Sequence, residues 1–556
     1  MVATAPTKSA RASAALRATH APDLAYFRQR YPETVASLGA LPRREEWLRS
    51  IWELETRWRK TWETRGGARD IAEVVVRGAP PAGRASEAEF EVIYAGGASA
   101  LLHASALAIQ HDRRVLVLCA NEFAGGGGDN WSLSDDELRE LSSAGVFTRE
   151  EVGAAVLNRS RSSLLKFHDA ASRVKAGPLW VSGALDVSVD GARLVALAAE
   201  RLRRRKGCAA LEGLRLVRVY VERARVTVEA EGAGGRRRFF SARLFADAAG
   251  ADSPVARQLS GGEAPAHVCT TVGTLARGFA RGTIDFGAGE ILVSTEDASE
   301  HRQLFWQSCA GSSAREEYST RLLFYDSVDS PADKSLLSLF ERYFESLPAY
   351  KQKGAGWRVE RPTFGYFDAS RRRATRSPSA ACERVMLVGG AEGVLGPRLF
   401  GAQVRDLSRA ARLTHLALET GRTDADTLAR ISDGGPRVAG AVGLAEFLRP
   451  APKSAPHSVN ETLNALLAAL AGLDERVRRE LFQGRVTFAA LRRLAARTAR
   501  LYPRIFARVR EHFGARGTLV WLAGVAEAVW SDGRRNGGER ESGDGRESEA
   551  GAGGED

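Results

Sequence analysis

Apolar and polar positions divide this chain into three regimes. Between residues 90 and 120, an apolar run (Val92, Ile93, Tyr94) leads through small residues 95–100 into a helical pattern at 101–110. A second apolar run follows at 115–118. Continuous apolar strands separated by one helix describe a βαβ unit whose parallel sheet is covered on both faces. Residues 214–221, 224–230 and 238–245 alternate with period two instead, predicting three short half-buried strands. Strand-like runs at 268–279, 290–295, 303–309 and 318–326 predict an antiparallel sheet in a second domain, and 384–390 reads as a buried strand ending in glycines. Helical periodicity marks 23–65, 186–207, 332–347, 403–420 and most of 440–530. Ser134 with Glu137, and Ser458 with Glu461, have the spacing of capping boxes.

Composition narrows the classes. A 44% hydrophobic and 27% charged chain of 556 residues reads as a soluble globular protein of two to four domains. The net charge of +12 admits nucleic acid, an anionic membrane, or solubility alone. The basic run 201–206 falls in the last turns of a predicted helix, where the dipole favours cations, so it reads as a solvated face and not a nucleic-acid patch. Trp47, Trp52, Trp58 and Trp62 among charges predict a helix packed on a core. No apolar run is long enough to span a bilayer. Five cysteines without C-x-x-C point to a reducing compartment and away from a disulfide scaffold or zinc site.

The small-residue turn carries the first candidate chemistry. A dinucleotide-binding turn must bend sharply, admit a pyrophosphate to its N–H groups, and pack its helix on the strand. On the G-x-G-x-x-G/A pattern, Ala95 takes the first place, with Gly96 after it, Gly97 the second and Ala100 the third. Cys119 stands at the end of the second strand, where an acid would hold ribose hydroxyls, with Asn121 and Glu122 nearby as substitutes. An ordinary buried strand–helix pair explains this stretch about as well.

Segments 92–101 (VIYAGGASAL), 131–138 (WSLSDDEL), 250–258 (GADSPVARQ), 365–371 (GYFDASR) and 388–401 (VGGAEGVLGPRLFG) together form a larger constellation. In this order they resemble flavoproteins of the aromatic-hydroxylase and geranylgeranyl-reductase kind, and within them the Cru-type lycopene cyclases, over roughly residues 30 to 525. The resemblance implies an α/β fold: an FAD-binding Rossmann-like domain, an inserted antiparallel-sheet substrate domain, and helical N- and C-terminal extensions. The implied division begins with a disordered leader (1–22), a helical segment (23–85) and the first FAD-binding segment (86–264). A substrate domain (265–380), the second FAD-binding segment (381–435), a helical region (436–530) and a disordered tail (531–556) complete it. The resemblance also implies FAD contacts at Ala95, Gly96, Gly97, Ala100, Cys119, Asn121, Gly250, Gly389, Gly390, Gly393, Pro397 and Gly401. Departures cluster at the cofactor: Cys119 replaces the ribose acid, Gly390 an aspartate, and Ser132 an asparagine. Each lost carboxylate forfeits a charge-assisted hydrogen bond worth about 1.5–3 kcal/mol, so weak FAD binding is expected, and Cys119→Glu with Gly390→Asp is expected to tighten it.

A lycopene cyclase would close a ring on a linear carotene by protonation, without net redox change. That chemistry needs a buried, protonated carboxyl group, for which Glu392 and Asp368 are the candidates. Pairing with Arg371, Arg372 or Arg398 is the plainer role of either acid, more so for Asp368. The alternatives are an FAD-dependent hydroxylase or prenyl-chain reductase, which would bring in NAD(P)H, and a paralogue with a degenerate flavin site. Expected partners are a lipid-soluble carotene and a membrane surface, with no nucleic acid and no metal, which places the protein in the cytoplasm against the inner face of the membrane. The membrane-facing candidates are Leu463, Leu466, Leu467 and Leu470, with the arginines and aromatics of 476–521.

Overall fold

A computed structural model describes residues 22–63, 73–123, 130–250, 253–262, 267–370, 382–389, 407–432, 447–483, 487–512 and 514. The leader, the tail, and residues 390–406 and 433–446 lie outside the described residues.

Five parallel strands form the central sheet, in the order Ala209–Leu211, Val115–Leu118, Val92–Gly96, Leu244–Ala248 and Val385–Leu387. Alternation along each strand feeds two cores. Val92, Tyr94, Val115, Val117, Leu244 and Ala246 face helices Ala98–His111, Gly191–Arg204 and Leu407–Thr420. Ile93, Ala95, Leu116, Leu118 and Phe245 face a second sheet. That sheet is an antiparallel meander of Arg215–Val221, Val226–Glu231 and Arg237–Ala242, edged by Val75–Arg77 and Ala88–Glu89. Its edge strand Val75–Arg77 lies within the segment expected to be helical, 23–85.

The second large layer is a seven-stranded sheet. Its order is Lys353–Ser370, His267–Phe279, Tyr318–Ser327, Phe305–Ala310, Ala288–Val293, Ser162–Lys166 and Leu179–Val181. The last two strands come from residues assigned by sequence to the first domain, and Ser162–Lys166 joins in parallel, so the sheet is neither confined to 265–380 nor wholly antiparallel. One face carries Val268, Val272, Leu322, Phe324 and Trp306. It is covered by Leu336–Tyr350 and by the N-terminal helices, whose Trp52 and Trp58 are buried there. The other face is covered in part by the C-terminal helices, which bury Leu463, Leu467 and Leu470 against Phe305, Leu323 and Ile291. These leucines therefore pack inside the protein and do not form an exposed membrane face.

Two further expectations are corrected. Residues 186–207 are not one helix: Val187–Asp190 is a strand, and the Asp190 side chain then caps Gly191–Arg204 by accepting from the Arg193 N–H. The Ser134–Glu137 capping box is present in full, but no box forms at Ser458. Glu461 instead turns inward and accepts from the Tyr502 hydroxyl at 2.6 Å.

Candidate functional site

The carboxyl ends of three central strands converge at the small-residue turn. Gly96 has φ +145°, and a Cβ there would stand 2.5 Å from the Ala248 carbonyl oxygen, so glycine lets the two strands approach. Gly97 is different: among the described residues nothing lies within 4 Å of where its Cβ would be. It is the N-cap of the 14-residue helix Ala98–His111, whose first N–H groups have no partner within the helix. Ser99 in that first turn lies 3.5 Å from the Cβ position of Gly389, whose φ is +62°. On the neighbouring strand, buried Asp247 accepts from the Ala249 N–H and the Ser253 hydroxyl, and the Gly250 carbonyl accepts from the Ser253 N–H. A helix start whose first N–H groups are unused by the helix is the donor set a pyrophosphate requires.

The other expected contacts divide. Ala95 and Ala100 are buried in the apolar layers on either side of the sheet, so their small size serves packing. Cys119 sits in the helix-side core, its backbone bonded to the Leu211 carbonyl and the Leu214 N–H. Burial pushes its thiol up, helped by the nearby Glu212 carboxylate and opposed by the Asn121 backbone. Asn121 is exposed. The acid at this corner is Glu212, one residue beyond the strand that pairs with Val115–Leu118. It accepts from the Phe123 N–H at 2.7 Å and from Arg203 at 2.9 Å. Sequence reasoning missed it because a three-residue strand leaves no periodic signal. Cys119→Glu would therefore add a second carboxylate, in an apolar setting, beside an existing one. Glu392, Gly390, Gly393, Pro397 and Gly401 lie outside the described residues, and Asp368 is described only as a member of its strand.

A second polar locus lies where two sheets face each other. The three-stranded sheet of Asn130–Leu133, Val187–Asp190 and Val156–Arg159 is amphipathic. Leu133, Val187 and Val189 enter the helix-side core, and Trp131 packs against it. Asn130, Ser132, Ser188 and Asn158 fall on the opposite face by alternation. That face meets the seven-stranded sheet: Ser132 Oγ lies 3.5 Å from Cys309 Sγ, Asn158 donates to the Phe286 carbonyl, and Arg321 donates to the Asn130 carbonyl. Gln307, Arg321, Gly273 and Thr363 stand side by side across four strands there.

Neither the known protein families nor the curated proteins yield a match to this sequence. Among solved structures, the halogenase PltM in complex with phloroglucinol and FAD is similar at 13% identity, covering 80% of this chain and 94% of that one, with a TM-score of 0.51. Another structure of halogenase PltM gives 14% identity over the same shares and a TM-score of 0.50. A geranylgeranyl bacteriochlorophyll reductase-like protein from Thermoplasma acidophilum gives 14% identity over 76% of this chain and 99% of that one, with a TM-score of 0.49. At such identities the likeness shows the fold alone: this chain shares the α/β architecture of that halogenase, a Rossmann-like domain joined to a large sheet domain, with helical extensions at both ends.

Proposed function

We propose that this chain is an FAD-dependent oxidoreductase acting on an oxygen-bearing organic substrate. The observation that carries the reading is the start of helix Ala98–His111 at Gly97, where no described atom meets the Cβ position, flanked by the Gly250 turn and Gly389. The N–H groups after Gly97 would take the pyrophosphate, and Glu212 would take the adenosine ribose where Cys119 does not. When bound, FAD supplies two-electron redox chemistry. The chain's own contribution is to orient the substrate between its sheets and to keep water out. PltM was solved with FAD, and the shared fold supports the same cofactor here.

The second reading is the lycopene cyclase that the sequence motifs resemble. Its carotene would be collected from a membrane surface and protonated by Glu392 or Asp368. The polar face lined by Asn130, Ser132 and Arg321 counts against it, because a hydrocarbon offers these donors nothing to bind.

One experiment separates the readings. Purified protein is titrated with FAD and followed by visible absorbance, then given NAD(P)H. Bound flavin that is reduced by NAD(P)H, with consumption in step with product, supports the oxidoreductase. Ring closure of a carotene without NAD(P)H consumption overturns it in favour of the cyclase. Protein that acquires no flavin absorbance overturns both and leaves a paralogue with a degenerate site.

A further inference from the structure

We propose that Arg321 and Asn130 form a binding site for an organic carboxylate, the anionic group of the substrate. The proposal deepens the oxidoreductase reading, on which its word "substrate" rests, by naming the charge that substrate carries.

Arg321 lies half-buried in the middle of the seven-stranded sheet, and among the described residues it meets no carboxylate. Its Nη1 donates to Gln307 Oε1 at 3.2 Å and its Nη2 to the Asn130 carbonyl at 3.3 Å, both neutral acceptors. Its Nε is buried with no hydrogen-bond partner. A guanidinium withdrawn from water without a counter-ion is costly, so such charges are normally paired. Arg277, on the adjacent strand of the same sheet, does have carboxylate partners, Glu317 at 2.8 Å and Glu360 at 3.2 Å. Glu317 is thereby committed, with Arg315 a further partner at 3.5 Å.

A second donor is orphaned at the same place. Asn130 is 8% exposed, and its Nδ2 is buried without a partner. The Ser188 hydroxyl, on the same polar face, is also buried and unpartnered. Buried donors are nearly always satisfied, so Arg321 Nε and Asn130 Nδ2, on two facing sheets joined by the Arg321–Asn130 contact, call for an acceptor. Gly273 lies opposite Arg321; a Cβ there would stand 2.3 Å from the Thr320 carbonyl oxygen and 2.8 Å from Arg321 Cγ, so glycine serves the close approach of the two strands. The Nε and Nη2 edge of a guanidinium matches the two oxygens of a carboxylate, which a point charge does not.

Calorimetric titration of the full chain tests this, with benzoate as probe and benzamide, the neutral analogue, as control at constant ionic strength. Benzoate is expected to bind about tenfold or more tightly than benzamide. Arg321→Gln should abolish the difference, Arg321→Lys should retain some of it, and Asn130→Ala should weaken benzoate alone. Arg321→Gln surrenders no ion pair, so it should melt at or above the parent temperature. Equal binding of the two probes by the parent, or unchanged benzoate affinity in Arg321→Gln, would overturn the proposal. Each titration is run with and without FAD. Benzoate binding through Arg321 in protein that takes no FAD sinks the flavin reading alone; FAD binding without benzoate preference sinks the carboxylate site alone.

Discussion

Glu55 shows how much a single residue can set the pH behaviour of this fold. It is fully buried between the N-terminal helices and the start of Leu336–Tyr350, where it accepts from the Ser335 hydroxyl at 3.0 Å and the Leu337 N–H at 3.3 Å. Burial pushes its carboxyl up to about 7, and those two hydrogen bonds with Arg59 only partly oppose the shift. A carboxyl raised above its unfolded value of 4.5 binds its proton more tightly when folded. Stability should therefore fall as pH rises from about 4.5 to 7, by on the order of 3 kcal/mol from this group, and stay reduced above that range. Glu55→Gln, which keeps the acceptor, should flatten this slope in urea melts at pH 5 and pH 8; an unchanged slope would place the titration elsewhere. The glycine pair makes a second residue-scale prediction. Gly96→Ala drives a Cβ into the Ala248 backbone from a positive φ and should cost several kcal/mol of stability. Gly97→Ala meets no described atom and should leave the melting temperature intact while weakening FAD binding. Equal losses of stability would show that both glycines serve packing. Cys119→Glu should destabilise the protein by roughly 2 kcal/mol or more by burying a charge beside Glu212, whereas Glu212→Gln should leave it folded and lower FAD affinity. Thermal melts with FAD titrations check both.

At the scale of elements, Glu461 illustrates tertiary contacts overriding a local signal. Its spacing from Ser458 fits a capping box, yet burial carries it toward Tyr502, Arg508 at 3.8 Å and the Arg173 N–H. Burial alone would raise its carboxyl; the Tyr502 hydroxyl, the Arg173 backbone, His457 and Arg508 outweigh that and hold it below the usual range. Its contribution is thus present above about pH 4.5 and lost as pH falls. Tyr502→Phe should cost about 1–3 kcal/mol and speed hydrogen exchange in Ser458–Ala471 and Phe488–Leu501, with little change in the central sheet. Uniform exchange would mean that the contact holds the whole fold. The parallel strands at 92–96, 115–118 and 385–387 were legible because a short, continuous apolar run bounded by turn residues fits a strand buried on both faces, whereas 238–245, read as one alternating strand, is in fact the ends of two, Arg237–Ala242 and Leu244–Ala248, in different sheets. Strand Val187–Asp190 was hidden because four residues merge into the helix pattern that follows. The polar locus was illegible for a different reason: it needs Asn130 and Arg321, 191 residues apart, to meet through the register of two separate sheets.

The whole molecule's surface bears on which substrate it can reach. Among the described residues, no helix is long and apolar enough to cross a membrane. Leu463, Leu467 and Leu470 are consumed by the internal core, and Phe482 packs against it. What the described C-terminal helices expose is Leu501 and Phe506, at 46% and 69%, beside exposed Arg492, Arg493, Arg497 and Arg500. Phe513 and Trp521 lie outside the described residues. Two apolar side chains insert little surface, whereas each arginine near an anionic leaflet contributes on the order of 1 kcal/mol. Attachment, where it occurs, should therefore be electrostatic. In flotation assays the protein should rise with anionic vesicles at low salt, release at high salt, and stay down with neutral vesicles. Salt-resistant flotation with neutral vesicles would require apolar insertion that Leu501 and Phe506 do not supply. It would restore a lipid-borne substrate, and with it the carotene reading, against the carboxylate that the unpaired Arg321 favours.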